Sequence, residues 1–246
     1  MKLYLPVHCH EIGQRSNNED AIYPEEVSEK NRLFMVCDGV GGQAKGEVAS
    51  SMVCTGLSKY LSENPMGNIE DETYLPSALQ SIEQHMGEYL ETHPEAMGMA
   101  STLTLLLISD TDNKALIGWV GDSRIYHIRD GEVLFQTKDH SVVQSMVDMG
   151  EITEEEAQTH PKRNIITRAI NGANPTRIDQ KVIGDIKAND FFFLCSDGIM
   201  ENLSKKEIGA WFKESKTVDE IKSNILANAQ GVTKDNYSMY LIKISG

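Results

Sequence analysis

The chain of 246 residues lacks any apolar run long enough to cross a membrane: its greasiest stretch, "LTLLLI" over 103–108, falls far short of the ~18 residues that a span needs. Its start, "MKLYLPVHCHE", lacks the apolar core and small-residue cleavage site of a secretion signal, so the expected location is the cytoplasm, with no membrane contact. Cysteine is scarce. The four present (Cys9, Cys37, Cys54 and Cys195) form no C-x-x-C pair and no Cys/His metal spacing, which excludes a disulfide scaffold and leaves reduced, packed thiols as the expectation. Positive charge is also short, with 23 Lys and Arg against 37 Asp and Glu. A net charge of -14 disfavours nucleic acid and anionic lipid, both of which are bound chiefly through Lys and Arg. No stretch rich in proline, glycine or serine reads as a linker, so residues 1–246 are expected to form one domain.

What is present is a set of apolar or alternating runs with strand character: "AIYP", "RLFMVC", "STLTLLLIS", "KALIGWV", "SRIYHI", "EVLFQ", "RIDQKVI", "DFFFLC" and "SMYLIKI". Helical stretches fall in two pairs, at about 46–63 and 75–92 and at about 204–214 and 217–229, the stretch at 75–92 carrying Leu79, Ile82, Met86, Tyr89 and Leu90 at helical spacing. Helices that arrive as pairs between groups of strands argue for antiparallel sheets with helices packed outside, not for a parallel β-α-β array. Asp130-Gly131 between two alternating runs predicts a tight hairpin.

Acids recur where strands end. Asp38 closes "RLFMVCD", Asp122 follows "ALIGWVG", Asp197 follows "FFFLCS", Asp20 opens one strand, and Asp235 with Asn236 stands just before another. In antiparallel sheets the C-terminal ends of some strands neighbour the N-terminal ends of others, so these five aspartates can gather along one edge. One such acid is ordinarily a turn former or N-cap. Five are harder to explain that way, because two carboxylates 4 Å apart repel by about 4 kcal/mol at an effective dielectric of ~20 and need protons or cations to persist together. An all-oxygen set suits Mg2+ or Mn2+, and a pair of such ions sharing a carboxylate is a recurrent device for attacking phosphorus.

These stretches resemble, in order along nearly the whole chain, the metal-dependent protein phosphatases of the PPM or protein phosphatase 2C family, in the compact bacterial serine/threonine form. The matching segments are "RSNNEDA", "VCDGVGGQAKGEVAS", "ASTLTLLLI", "GDSRIY", "DHSVVQ", "HPKRNIITRAI", "LCSDGI" and "DNYSMYLI". The resemblance implies an α+β fold, a four-layer αββα sandwich of two antiparallel sheets flanked by helix pairs, with a flap over about 138–175 whose sequence tunes the fit of a phosphoprotein. It implies hydrolysis of phosphoserine and phosphothreonine with two Mn2+ or Mg2+ ions and a third, weaker one, by a metal-bridging water attacking in line. Asp38 would bridge both ions, with the Gly39 carbonyl completing the shell of the second ion. Asp197 and Asp235 would hold the first ion, Glu19 and Asp20 would act through metal-bound waters, and Asp122 with Asp197 would bind the third. Arg15, four residues before Glu19, would grip the phosphate. The implied partners are phosphoproteins, a serine/threonine kinase and its substrates, met by a monomer.

Departures from the family pattern are mild. Val40 stands where some members carry a proton-donating histidine, Ala100-Ser101-Thr102 replaces a common G-T-T, and Glu11 replaces an aspartate near the first motif. His140 and His160 read as structural histidines of the flap, Met146 and Met149 as core fillers, and "EITEEE" as a solvated helix start. A non-catalytic phosphoprotein-binding relative would show degenerate acids, whereas Asp38, Asp197 and Asp235 are all present. A nucleotide-binding reading of "DGVGG" lacks the Lys-Ser/Thr ending of a P-loop and the G-x-G-x-x-G spacing. The glycines there instead let the chain turn tightly before a helix.

Overall fold

Alternation along the strands decides the layers. In a computed structural model, which describes residues 1–40, 45–201, 203, 205–214 and 217–246, the chain runs β1 (Lys2–Leu3), β2 (Val7–Glu11), β3 (Asp20–Tyr23), β4 (Leu33–Val40), α1 (Gly46–Glu63) and α2 (Tyr74–Thr92). It continues through β5 (Ala100–Ser101), β6 (Leu103–Ile108), β7 (Ala115–Val120), β8 (Arg124–Arg129), β9 (Glu132–Gln136), α3 (Val142–Asp148), α4 (Glu154–Thr159) and β10 (Asp179–Ile183). The last elements are β11 (Phe191–Cys195), α5 (Asp197–Met200), α6 (Lys205–Glu214), α7 (Val218–Ala229) and β12 (Tyr237–Ser245). One sheet has the order β10-β7-β6-β4-β3 with β5 beside β4, and the other β1-β12-β11-β8-β9 with β2 beside β12. The pairings are antiparallel.

Along β4, Phe34 and Val36 point between the sheets, where they meet Phe192, Leu194, Tyr240 and Ile242 of the facing sheet. Met35 and Cys37 point the other way, onto Val53, Leu57, Leu79, Ile82 and Met86 of α1 and α2. On the outer face of the second sheet, Tyr126, Phe193 and Leu241 pack against Ile208, Phe212, Ile221 and Ile225 of α6 and α7. The period-two pleat thus serves two apolar layers at once, and each large side chain removed from water contributes about 1.5–3 kcal/mol. This is the expected αββα sandwich. The four cysteines are buried and free of disulfides.

The hairpin predicted at Asp130-Gly131 joins β8 to β9, both residues having positive φ (51° and 79°). The helix start at "EITEEE" is a capping box, with Thr153 and Glu156 each accepting the other's backbone N–H. Other expectations need correction. The single run expected over 101–109 divides into β5 and β6 at Thr102, whose N–H is turned onto the Asp38 carbonyl at 2.8 Å. Met149 is no core filler: it lies past the end of the short α3 and is 70% exposed, while Met146 is half-buried. The turn expected from Gly41 and Gly42 lies outside the described residues. No helix among the described residues is long and apolar enough to cross a membrane.

Candidate active site

The register of β3 and β4 pairs Asp20 directly with Asp38. Glu19 precedes β3, Asp122 follows β7 after one glycine, and Asp197 begins α5 two residues beyond β11. Since β11 and β12 are antiparallel, with Cys195 opposite Met239, the exit of one lies beside the entry of the other, and Asp235 comes to the same edge. Every acid expected at the site is therefore brought to one edge, shared by the two sheets.

The electrostatics of that edge are unfavourable to the acids alone. Asp20 is buried, and burial with the charges of Asp197 and Asp235 pushes its pKa up to about 7, against the hydroxyls of Ser238 and of Ser196, whose Oγ donates to Oδ2 at 2.9 Å. Burial and the nearby Asp20 and Asp197 hold Asp38 well above the ordinary carboxylate range. Asp197, hydrogen-bonded to the Asp38 carboxyl, is raised to about 6 by burial and Asp235, and Asp122 to about 7 by burial and Asp197. Glu19 is raised by burial and by Glu47 in the first turn of α1. Asp20 Oδ1 and Asp197 Oδ1 are buried without a hydrogen-bond partner. Orphaned carboxylate oxygens beside other carboxylates fit a hard divalent cation, which would supply the missing charge and accept oxygen ligands. Among the described residues no group of three or more His, Cys, Asp or Glu side chains is arranged to hold a metal ion by itself. Mg2+-type ions keep several waters and need only one or two carboxylates directly.

A layer of neutral polar groups, which sequence reasoning did not single out, holds the acids in place. Thr102 Oγ1 accepts the Asp38 N–H at 2.9 Å and lies 2.8 Å from Ser123 Oγ, next to Asp122; both hydroxyls belong to buried residues. Asn236 Oδ1 accepts the Glu19 N–H at 2.8 Å, while its Nδ2 donates to the carbonyls of Ile12 and Asn17, also at 2.8 Å. The loop bearing Arg15 and Glu19 is thereby fastened beside Asp235. The signal available in the sequence was only adjacency: Asn236 follows Asp235, and Ser123 follows Asp122. Gly39 is required by close approach, since a Cβ there would lie 2.2 Å from the Gly46 carbonyl oxygen and 2.6 Å from that of Glu19.

Arg15 stands at the mouth, more than half exposed, and donates from Nη2 to Asp235 Oδ2 at 2.8 Å. A guanidinium carries five N–H groups, so donors remain for a second anion. Val40 ends β4 opposite Ala100 and offers no proton. The two histidines are structural, as expected. His160 Nδ1 accepts the Lys162 N–H at 3.1 Å, and His140 is bonded to Gly121 and Asp179, its pKa lowered by burial. A cavity of about 460 Å3 opens from Asp122, Asp197 and Asp235 under the flap, where Gln144, Arg163 and Met200 are among its walls.

An antiparallel αββα sandwich with this acid edge defines a class, and comparison with known proteins identifies it. The family model for protein phosphatase 2C matches residues 10–230. The sequence is 37% identical over 196 residues to the serine/threonine protein phosphatase PstP of Mycobacterium tuberculosis, covering 79% of this chain and 36% of that protein, so the chain spans about a third of that relative's length. The fold superposes on the crystal structure of the M. tuberculosis serine/threonine phosphatase PstP/Ppp with a TM-score of 0.86 at 32% identity, over 100% of both chains. The PstP catalytic domain solved in complex with two manganese ions gives a TM-score of 0.81 at 31% identity, over 100% of this chain and 99% of that one. The chain belongs to the protein phosphatase 2C family.

Proposed function

We propose that this protein is a metal-dependent serine/threonine phosphatase that hydrolyses phosphoserine and phosphothreonine in phosphoproteins. The observation that carries the reading is the convergence of Asp20, Asp38, Asp197, Asp122 and Asp235 on one edge with buried carboxylate oxygens left unpartnered. The PstP catalytic domain binds two manganese ions, and two Mn2+ or Mg2+ ions are assigned here on the same pattern. Asp38 would serve both sites and the Gly39 carbonyl the second, Asp197 and Asp235 would hold the first, Glu19 and Asp20 would act through water, and Asp122 with Asp197 would take a third, weaker ion. When bound, such ions lower the pKa of water to supply a nucleophile near neutral pH and neutralise charge on the phosphoryl group.

The chain's own residues do the rest. Arg15, at the rim, is placed to grip two phosphate oxygens through its planar fork. Asp20, backed by the hydroxyls of Ser238 and Ser196, is placed to accept a hydrogen bond from an attacking water and orient it. Val40 cannot protonate the leaving alkoxide, so that proton comes from solvent within the site or from another residue. Residues 1–246 act as one catalytic domain, with the flap at about 138–175 beside the phosphoserine. The reading extends to a cytoplasmic monomer that opposes a serine/threonine kinase and acts on its substrates.

The test is phosphate release from phosphoserine and phosphothreonine peptides. Activity is expected with Mn2+ or Mg2+, none with EDTA, and a loss of several orders of magnitude in Asp38→Ala. Full turnover in excess EDTA would overturn the proposal, as would a chain that binds Mn2+ and releases no phosphate.

A further inference from the structure

His140 does more than fill space at the root of the flap. Its backbone N–H donates to the Gly121 carbonyl at 2.8 Å, and its ring Nδ1 accepts the Gly121 N–H at 3.0 Å, so one residue holds both backbone groups of the glycine before Asp122. Gly121 has a φ of 98°, and a Cβ there would lie 2.6 Å from Thr102 Cγ2, so this turn admits little adjustment. With Nδ1 accepting, the ring proton sits on Nε2, which donates to Asp179 Oδ2 on β10 at 3.2 Å. Arg168 Nη1 stands 2.8 Å from that nitrogen, so that two N–H groups converge on the Asp179 carboxylate, and donates to its other oxygen at 2.9 Å. The His140 carbonyl accepts the Thr167 N–H at 2.7 Å, and the ring lies within 9° of parallel to Trp119 on β7. The entry of the flap (His140), its exit (Thr167 and Arg168), the edge strand β10 and the turn carrying Asp122 therefore meet on one residue, Thr167 through its backbone and Gly121, β10 and Arg168 through its ring.

We propose that His140 is a positioning residue that sets the aim of Asp122 by clasping Gly121, and that its Asp179–Arg168 arm ties the flap to that same turn. The inference rests on reading Asp122 as a ligand of the weaker cation. His140 touches neither substrate nor the bridging acid, so its loss is expected to fall on one binding step and not on all of them.

Calorimetric Mn2+ titration of the whole chain separates the outcomes. Asp122→Ala marks the step that depends on that carboxylate. His140→Asn keeps an acceptor near the position of Nδ1 but cannot reach Asp179, while His140→Gln reaches toward Asp179 and gives up Gly121. His140→Ala and His140→Gln should weaken the Asp122-dependent step about 10-fold or more, a size typical of groups that orient a metal ligand, leaving tighter steps within about twofold. His140→Asn should rescue that step to within a few-fold of wild type, and His140→Ala should add nothing in an Asp122→Ala background. Equal affinity in all His140 variants, a uniform fall of every step, or an Asn variant as weak as Ala would overturn the inference. A wild-type chain that takes up no Mn2+ would instead overturn the reading of the acid edge itself. Should His140→Ala fail to fold, the Asn and Gln pair decides the matter.

Discussion

Replacing Asp20 with Asn isolates what the acid edge costs the folded chain. Asp20 is 6% exposed, and burial with Asp197 and Asp235 raises its pKa from 3.8 to about 7. A folded-state pKa above the unfolded one means that stability is greatest below about pH 4 and is lost as pH rises through 7. A rise of about three pH units, at ~1.36 kcal/mol each, amounts to about 4 kcal/mol at pH 8 and roughly 2 kcal/mol at pH 5. Asn carries no charge and keeps an acceptor for Ser196 Oγ, which lies 2.9 Å from Asp20 Oδ2. In EDTA, Asp20→Asn should melt close to wild type at pH 4 and about 8–16 °C higher at pH 8, taking ~2–4 °C per kcal/mol for a chain of this size. His8, His10 and His140, whose pKa values burial lowers, become less destabilising as pH rises toward 6.5; this opposite trend is common to both proteins and cancels in the difference. Circular-dichroism melts at three pH values suffice. Equal melting temperatures at pH 8, or a gap that does not grow with pH, would refute the argument. Added Mn2+ should reverse the order, stabilising wild type more than the variant, and more at pH 8 than at pH 5.

Gly39→Ala should destabilise by at least about 1–3 kcal/mol in urea unfolding, because its Cβ meets backbone oxygens of Gly46 and Glu19 and not flexible side chains. Thr102→Val keeps the shape but strands the Asp38 N–H; a loss of about 1–3 kcal/mol with a fall in kcat is expected, and Thr102→Ser should restore both. Arg15→Lys should lower kcat/KM on a phosphopeptide about 10-fold or more while leaving Mn2+-dependent melting unchanged, since a single ammonium cannot replace a planar fork. Unchanged kcat/KM would remove Arg15 from the phosphate.

The acids were legible in the sequence because strand ends are legible. "FFFLC" and "ALIGWV" announce themselves by apolar runs, and an acid placed just beyond such a run must lie at a sheet edge. Pairing then followed from hairpin logic: the start of β3 and the end of β4 fall together at the open end of an antiparallel pair, and there Asp20 stands opposite Asp38. β2 was not read because "VHCHE" buries little, with Cys9 its one fully buried side chain, so its place beside β12 is set by backbone pairing and not by apolar pattern. Thr102, Ser196 and Asn236 were equally hidden. A hydroxyl or amide has no periodicity, and its value here depends on backbone groups as much as 224 residues away, as with Asn236 and Ile12. Met149 failed for a related reason, since helical spacing says which face a residue takes but not that the helix stops before it.

The distribution of positive charge explains why the edge remains available to cations. Arg124 is held by a two-pronged bond to Asp139, at 2.8 and 2.7 Å, and its charge only partly offsets the burial and the Asp197 charge that raise the pKa of the neighbouring Asp122 to about 7. Arg129 is committed at the far end of the same strand to Asp190 and Asp185. Arg15 reaches the acids only from the solvent side, through Asp235, and is more than half exposed. Internal ion pairing at Asp20, Asp38 and Asp197 would have stabilised the fold and removed the reason for a cation to bind. Instead the three apolar layers offset the repulsion, and the hydroxyls and amide that hold the acids are neutral. They fix position without cancelling charge, which keeps the edge negative until something divalent arrives.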